Sequence, residues 1–341
     1  MKTILVTGGL GYIGSHTVVE LLNGGFEVVI VDDMSNSEKF ILNNIEEITG
    51  KKPYFYPFDL KRRELLTQVF DAHQINGCIH FAAFKAVGES QEKPVDYYEN
   101  NLFTLINLLQ EFKERGISNF IFSSSCTVYG QADEMPITET TPLKAAESAY
   151  GRTKQMGEEI LRDFATAHKK KISLLRYFNP IGAHSSGKLG ELPIGIPNNL
   201  VPYVTQTAAG IREKLSIWGD DYPTPDGTAI RDYIYVSDLA KAHLQALKKL
   251  LSEEKESLID IYNLGTGKGS SVLEVVKAFE RANSVAVPYQ ICERRAGDIT
   301  IAFANAEKAE KELGWKAETT LEEALRTTWQ WQKYLETRKG G

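Results

Sequence analysis

Tyr150 is followed four residues later by Lys154, in Ser148-Ala-Tyr-Gly-Arg-Thr-Lys154. On a helix, positions four apart share a face. An ammonium held near a phenol favours the phenolate, so Lys154 is expected to lower a tyrosine pKa that is ordinarily about 10. The product is a general base able to take a proton from an alcohol near neutral pH. The spacing alone also describes an ordinary solvated helix pair, so its meaning depends on its neighbours. One neighbour is Ser123-Ser124-Ser125, which ends the strand-like run Asn119–Ser123. A hydroxyl at a strand end can hydrogen-bond the same alcohol beside the phenol. Residue type does not choose among the three serines, and plain turn chemistry is the alternative for all of them.

Upstream, Thr3–Val6 runs into Thr7-Gly8-Gly9-Leu10-Gly11-Tyr12-Ile13-Gly14. Glycines at 8, 11 and 14 let the backbone turn sharply and approach a pyrophosphate, and the helix that follows aims its N-terminal N–H groups at that charge. The next strand, Glu27–Val31, ends in Asp32-Asp33, about twenty residues beyond the glycines. A carboxylate there suits ribose hydroxyls and repels a 2′-phosphate, which favours NAD over NADP. Asp59, in Pro57-Phe-Asp-Leu60, stands where an adenine amino group can be met, or where a helix needs an N-cap.

These residues need a scaffold. Strand-like runs at Thr3–Val6, Glu27–Val31, Tyr54–Tyr56, Cys78–Phe81, Asn119–Ser123 and Ile172–Tyr177 alternate with helical ones at Gly14–Leu22, Glu38–Thr49, Lys61–Ala72, Asp96–Arg115 and Ser148–His168. That alternation predicts an α/β protein with a Rossmann-type doubly wound parallel sheet. From Asn179 the chain turns rich in Gly, Pro and Asn. We expect an NAD-binding domain over 1–179 and a smaller mixed α/β substrate domain over 180–341. Strands near 231–236 and 259–264 are expected to return to the main sheet.

The 341 residues carry a net charge of -6, which argues against a nucleic-acid partner of the basic-patch kind. Cys78, Cys126 and Cys292 are far apart and the histidines scattered, so neither a disulfide framework nor a metal site is indicated. His80 and His243 read as packing or surface residues. No apolar run is long enough for a membrane span or a signal peptide, and a reducing, cytoplasmic setting fits.

The pyrophosphate turn, strand-end serine and Tyr/Lys pair together resemble the extended short-chain dehydrogenase/reductase superfamily. Lys85-Ala-Val-Gly-Glu-Ser90, Phe122-Ser-Ser-Ser-x-Thr-Val-Tyr-Gly130, Leu175-Arg-Tyr-Phe-Asn-Pro180, Gly195-Ile-Pro-Asn-Asn-Leu200 and Asp226-Gly-Thr-x-x-Arg-Asp-Tyr-Ile234 narrow the resemblance to the UDP-glucose 4-epimerase family, over residues 1 to about 335. The resemblance implies reversible inversion at C4 of UDP-glucose and UDP-galactose, through a 4-keto intermediate with transient reduction of NAD. It makes Ser125, Tyr150 and Lys154 the catalytic group. It adds Tyr12, Ile13, Phe81, Lys85, Asn100 and Tyr177 to the cofactor contacts, with Lys154 also on the nicotinamide ribose. It assigns Asn179, Asn199, Arg231, Arg295 and Asp298 to the uridine and diphosphate, and Lys85 and Ser125 to the substrate as well. A homodimer through the long helices near 96–115 and 148–168 is implied too.

One departure bears on substrate. Family members restricted to glucose and galactose carry a tyrosine shortly after Arg-x-Gly-Asp, whereas here Arg295-Ala-Gly-Asp298 is followed by Ile-Thr-Ile-Ala302. A methyl in place of an aromatic opens volume beside the sugar. The resemblance then implies that UDP-N-acetylglucosamine and UDP-N-acetylgalactosamine are interconverted as well, unless Phe303 or another side chain fills the space. Among rival readings, a 4,6-dehydratase needs an acid pair after the strand-end hydroxyl, where this chain has Cys126-Thr127. A net oxidoreductase would release NADH, and a non-catalytic dinucleotide sensor would not need Ser125, Tyr150 and Lys154.

Overall fold

The computed structural model describes residues 1–294 and 298–339. In its first half, β1 (Thr3–Thr7), β2 (Glu27–Val31), β3 (Tyr54–Tyr56), β4 (Ile75–His80), β5 (Asn119–Ser125) and β6 (Lys171–Tyr177) alternate with helices. These are α1 (Tyr12–Asn23), α2 (Phe40–Thr49), α3 (Arg63–Ala72), α4 (Val87–Glu92), α5 (Pro94–Glu114) and α6 (Ala149–His168). Then come β7 (Asn179–Ile181), α7 (Leu200–Ala208), β8 (Leu215–Trp218), β9 (Ile230–Arg231), β10 (Tyr233–Tyr235), α8 (Val236–Ser252) and β11 (Leu258–Leu264). The chain finishes with β12 (Ser270–Ser271), α9 (Val272–Asn283), β13 (Tyr289–Cys292), β14 (Ile301–Ala302), α10 (Glu307–Leu313) and α11 (Leu321–Lys339).

The main sheet has the order β11-β6-β5-β4-β1-β2-β3, and every pairing in it is parallel. The order reverses between β1 and β4, so the carboxyl ends of those strands open a crevice there. Strand period two divides the core. Ile4, Val6, Val28 and Ile30 face one apolar layer with α1 and α8, while Leu5, Val29 and Val31 face another with Leu105, Phe112 and Phe120. Fully buried strands therefore read as continuous apolar runs.

One of the two later strands joins the sheet, as β11 beside β6. The other does not. The stretch near 231–236 splits into β9 and β10, which pair with β12, β14 and β7 outside the main sheet. The break falls at Asp232, whose fully buried carboxylate accepts hydrogen bonds from Thr266 N–H (2.8 Å), Gly267 N–H (3.1 Å) and Ala304 N–H (3.1 Å). An inward acid holding three loop amides takes the chain out of regular pairing.

Candidate active site

The glycine turn packs on itself. Gly8 has φ +68°, and a Cβ there would meet the Ala82 backbone nitrogen at 2.8 Å, while one on Gly14 would meet the Gly8 carbonyl at 2.1 Å. Helix α1 starts at Tyr12 with Gly11 as N-cap and no side chain bonded to its end. Its first N–H groups are thus available to an anion. Tyr12 itself donates its hydroxyl to the Gly182 carbonyl at 2.6 Å, and Ile13 bridges two core clusters.

Asp32 closes the turn from β2. Its carboxylate accepts from Leu10 N–H (3.0 Å), Met34 N–H (2.9 Å) and the Ser37 hydroxyl (2.9 Å). Burial raises its pKa despite those bonds. Asp33 is exposed and holds the Ser35 amide at 2.9 Å. Asp59 lies beyond β3, where its Oδ1 takes the Lys61 N–H at 2.8 Å. It is not the cap of α3, whose N-cap is Arg62.

The three serines separate in space. Lys154 Nζ donates to the Ser123 carbonyl at 2.7 Å. The Ser124 hydroxyl turns the other way and donates to buried Glu158 at 2.6 Å. Ser125 ends β5, caps the 3-10 turn Cys126–Tyr129 by accepting from Thr127 N–H at 3.3 Å, and lies near enough to the Tyr150 phenol to favour its ionised form. Tyr150 is the second residue of α6, whose N-cap Ser148 accepts from Gly151 N–H at 3.1 Å. The phenol therefore stands at the carboxyl edge of the sheet, beside the end of β5.

The expected depression of that phenol by Lys154 is not met. Among the protein's own groups, burial dominates and pushes Tyr150 up to about 12, with Ser125 pulling the other way. Burial brings Lys154 down to about 7. Its Nζ lies 4.9 Å from the Phe122 ring centre and 5.8 Å from that of Tyr150, aimed at a backbone carbonyl and not at the phenol oxygen. The spacing was right about the shared face; the direction of the ammonium is set by β5.

Phe81 follows β4 with its ring 4.9 Å from that of His243, and Asn100 on α5 is buried, donating to Asn101 at 3.0 Å. The Tyr177 hydroxyl, buried at the end of β6, has no hydrogen-bond partner among the described residues. His80 and His243 are core residues, held by burial near 3 and 4 respectively.

Among the residues expected to hold substrate, Ala302 lies opposite Arg231 in the β14–β9 pairing. Arg231 donates Nη1 to the Ile230 carbonyl at 2.8 Å, and the Asn179 N–H bonds the Asp232 carbonyl at 2.9 Å. Asp298 is half-buried just before β14, and Arg295 lies outside the described residues. Asn199 is the N-cap position of α7. Its Nδ2 and Lys85 Nζ meet on one oxygen, Oε1 of Glu191, at 2.6 and 3.1 Å.

Glu191 went unread in the sequence because it sits in an irregular loop with no periodic signal. Asn101 went unread too. It holds Phe84 N–H at 2.8 Å, the Phe84 carbonyl at 3.1 Å and the Thr153 hydroxyl at 3.0 Å, so it ties the Lys85 loop to α5 and α6. A third omission is the buried Arg176–Glu158 pair at 2.5 Å under Ser124. A lone arginine inside the apolar run of β6 was its available signal.

This crevice meets the needs of a dinucleotide. It has an uncapped helix end at a close-packed glycine turn, a carboxylate at the end of β2 and an orphaned buried hydroxyl at Tyr177. A family model described as GDP-mannose 4,6 dehydratase matches residues 5–328. The chain is 54% identical over 330 residues to the UDP-glucose 4-epimerase of Bacillus subtilis, covering 96% of each chain. It is 53% identical over 331 residues to that of Haemophilus influenzae, covering 97% of each. The crystal structure of UDP-glucose 4-epimerase from Bifidobacterium longum in complex with NAD+ and UDP matches at a TM-score of 0.94 and 49% identity, over 98% of both chains. The chain belongs to the UDP-glucose 4-epimerase family, within the extended short-chain dehydrogenase/reductases.

Proposed function

We propose that this protein inverts C4 of UDP-glucose and UDP-galactose reversibly, using NAD that is regenerated in each turnover. The observation that carries the proposal is the meeting of Ser125, Tyr150 and Lys154 at the carboxyl end of β5, beside the switch point and the glycine turn. When bound, NAD supplies reversible two-electron oxidation at the sugar carbon. The residues around it hold and move the proton. Tyr150 takes it from the 4′-hydroxyl as the phenolate, a form that its burial disfavours and that positive charge from Lys154 and from bound NAD would favour, and returns it. Ser125 orients that hydroxyl, and the Lys154 ammonium lies 5.8 Å from the phenol ring centre. Gly8, Gly11 and Gly14 admit the pyrophosphate, Asp32 and Asp33 face the adenosine end, and Tyr177 offers its unpartnered hydroxyl. Lys85, Asn179, Asn199, Arg231, Arg295 and Asp298 hold the nucleotide sugar, and all but Lys85 come from residue 179 onward. Holding the remote nucleotide firmly leaves the ketose free to turn over in the pocket. A 4,6-elimination is disfavoured because Cys126 and Thr127 stand where an acid pair is needed.

The assay is conversion of UDP-galactose to UDP-glucose with NADH absorbance followed in parallel. Product without net NADH is expected. Stoichiometric NADH, or no product, overturns the reading.

Dual specificity belongs to the same proposal. Ala302 is buried opposite its half-buried strand partner Arg231, and the Phe303 ring lies beside Gly269. That placement, past the end of β14 and toward the loop of Gly269, supports a pocket that Phe303 does not refill. UDP-N-acetylgalactosamine should therefore be epimerised. Ala302→Tyr should lower that activity about tenfold or more while sparing UDP-galactose, a discrimination of the size steric pockets give. Equal loss on both substrates would argue against Ala302 as the gate.

A homodimer is part of the reading, supported by the exposed Val95, Phe103 and Ile106 of α5 and Met156 of α6. No helix among the described residues is long and apolar enough to cross a membrane. With free Cys78, Cys126 and Cys292, we place the protein in the cytoplasm.

A further inference from the structure

The crevice has two rims built on irregular chain. One is the loop after β4 that carries Lys85; the other is the stretch that ends at Asn199. Both side chains belong to exposed residues, yet both end on the same carboxylate oxygen of Glu191, at 3.1 and 2.6 Å. Glu191 differs from them in being fixed. Its side chain is only 13% exposed. Its carbonyl accepts from Trp331 Nε1 at 2.9 Å, and the preceding Gly190 lies so close to that indole that a Cβ would reach it at 2.5 Å. Glu191 also lines a small cavity with Tyr12, the first residue of α1.

A negative group beside the path of a doubly charged diphosphate opposes binding unless a nearby cation, here Lys85, offsets its charge. Here one anchored anion sets the directions of a cation and an amide from opposite rims. We infer that Glu191 is a positioning residue for the epimerase reaction, a clasp that orients Lys85 and Asn199 together and makes their contributions interdependent. The inference rests on the proposed function, because it needs a nucleotide sugar in this crevice.

A double-mutant cycle tests it in the holoenzyme. UDP-galactose turnover by the unaltered protein comes first, and its absence would sink the function and leave the cycle to be read in UDP affinity alone. Then kcat, KM and the Kd of UDP are measured by kinetics and calorimetry for Lys85→Met, Asn199→Ala and their combination, with Glu191 present and again with Glu191→Ala. With Glu191, the combined loss should be smaller than the product of the single losses by about fivefold or more, as for residues in one network. With Glu191→Ala, the two losses should multiply to within about twofold. Independent losses while Glu191 is present overturn the inference, as does equal coupling in its absence. If Glu191→Ala does not fold, Glu191→Gln decides. It keeps an acceptor for Asn199 and removes the charge facing Lys85, so KM and the Kd of UDP should rise about tenfold with a smaller change in kcat. Unaltered KM and Kd overturn the clasp.

Discussion

Lys154 shows how one residue can be costly to the fold while carrying the role proposed for it in the chemistry. Its ordinary pKa of 10.5 is brought down to about 7 by burial. The unfolded chain therefore holds more protons than the native one between those values, and native stability rises with pH across that window. Below about pH 7 the penalty is present in full. Lys154→Met should therefore stabilise the cofactor-free protein at pH 6 by about 1–3 kcal/mol, fading by pH 10, while abolishing turnover. Urea unfolding at the two pH values reads the difference, and equal or lower stability at pH 6 would refute it. The residues themselves were legible: a tyrosine and a lysine four apart, three serines after an apolar run, glycines before a helix. What the spacing could not convey was direction. Nothing in Tyr-x-x-x-Lys says that the ammonium ends on a carbonyl of β5, and nothing near Glu191 marks it as the meeting point of Lys85 and Asn199.

At the scale of elements, β5, β6 and α6 are locked together by Glu158 and Arg176. The guanidinium donates to Glu158 through Nε at 2.8 Å and Nη2 at 2.5 Å, and through Nη1 to Tyr129 at 2.9 Å. Both charged groups are almost wholly buried. Glu158→Ala leaves a charge without its counter-ion and should cost about 3–5 kcal/mol. The double variant Glu158→Leu, Arg176→Met should recover most of that loss, since paired apolar replacement is often neutral. Denaturation curves for the two test this, and a double variant no better than the single would count against it. The alternation of the first half was readable because buried parallel strands repeat one apolar pattern. The short strands of the second half, two to four residues each, offer no period to count. They are fixed by contacts such as those of Asp232, far away in sequence.

At the scale of the whole molecule, the chain completes its main sheet with β11 only after the excursion through β7–β10. The last helix then packs against α9 and α7 and supplies Trp331 to Glu191. The outer faces of α5 and α6 are left apolar at Phe103, which is 54% exposed, and at Ile106 and Met156. If two copies meet there, Phe103→Glu should shift sedimentation from dimer to monomer, because a buried unpaired charge at an interface is strongly unfavourable. An unchanged dimer would place the contact elsewhere.

The triple serine has a consequence for how this site can be lost. Ser123 and Ser125 face one way and Ser124 the other, with only Ser124 bonded to Glu158. Because strand faces alternate residue by residue, deleting one serine leaves a serine doublet that looks almost unaltered on the page. In the fold it is a frameshift of orientation. Either the last hydroxyl turns toward Glu158 and away from Tyr150, or the strand keeps its frame and Cys126 moves into the terminal place. Divergence at this point should therefore be judged by length before composition.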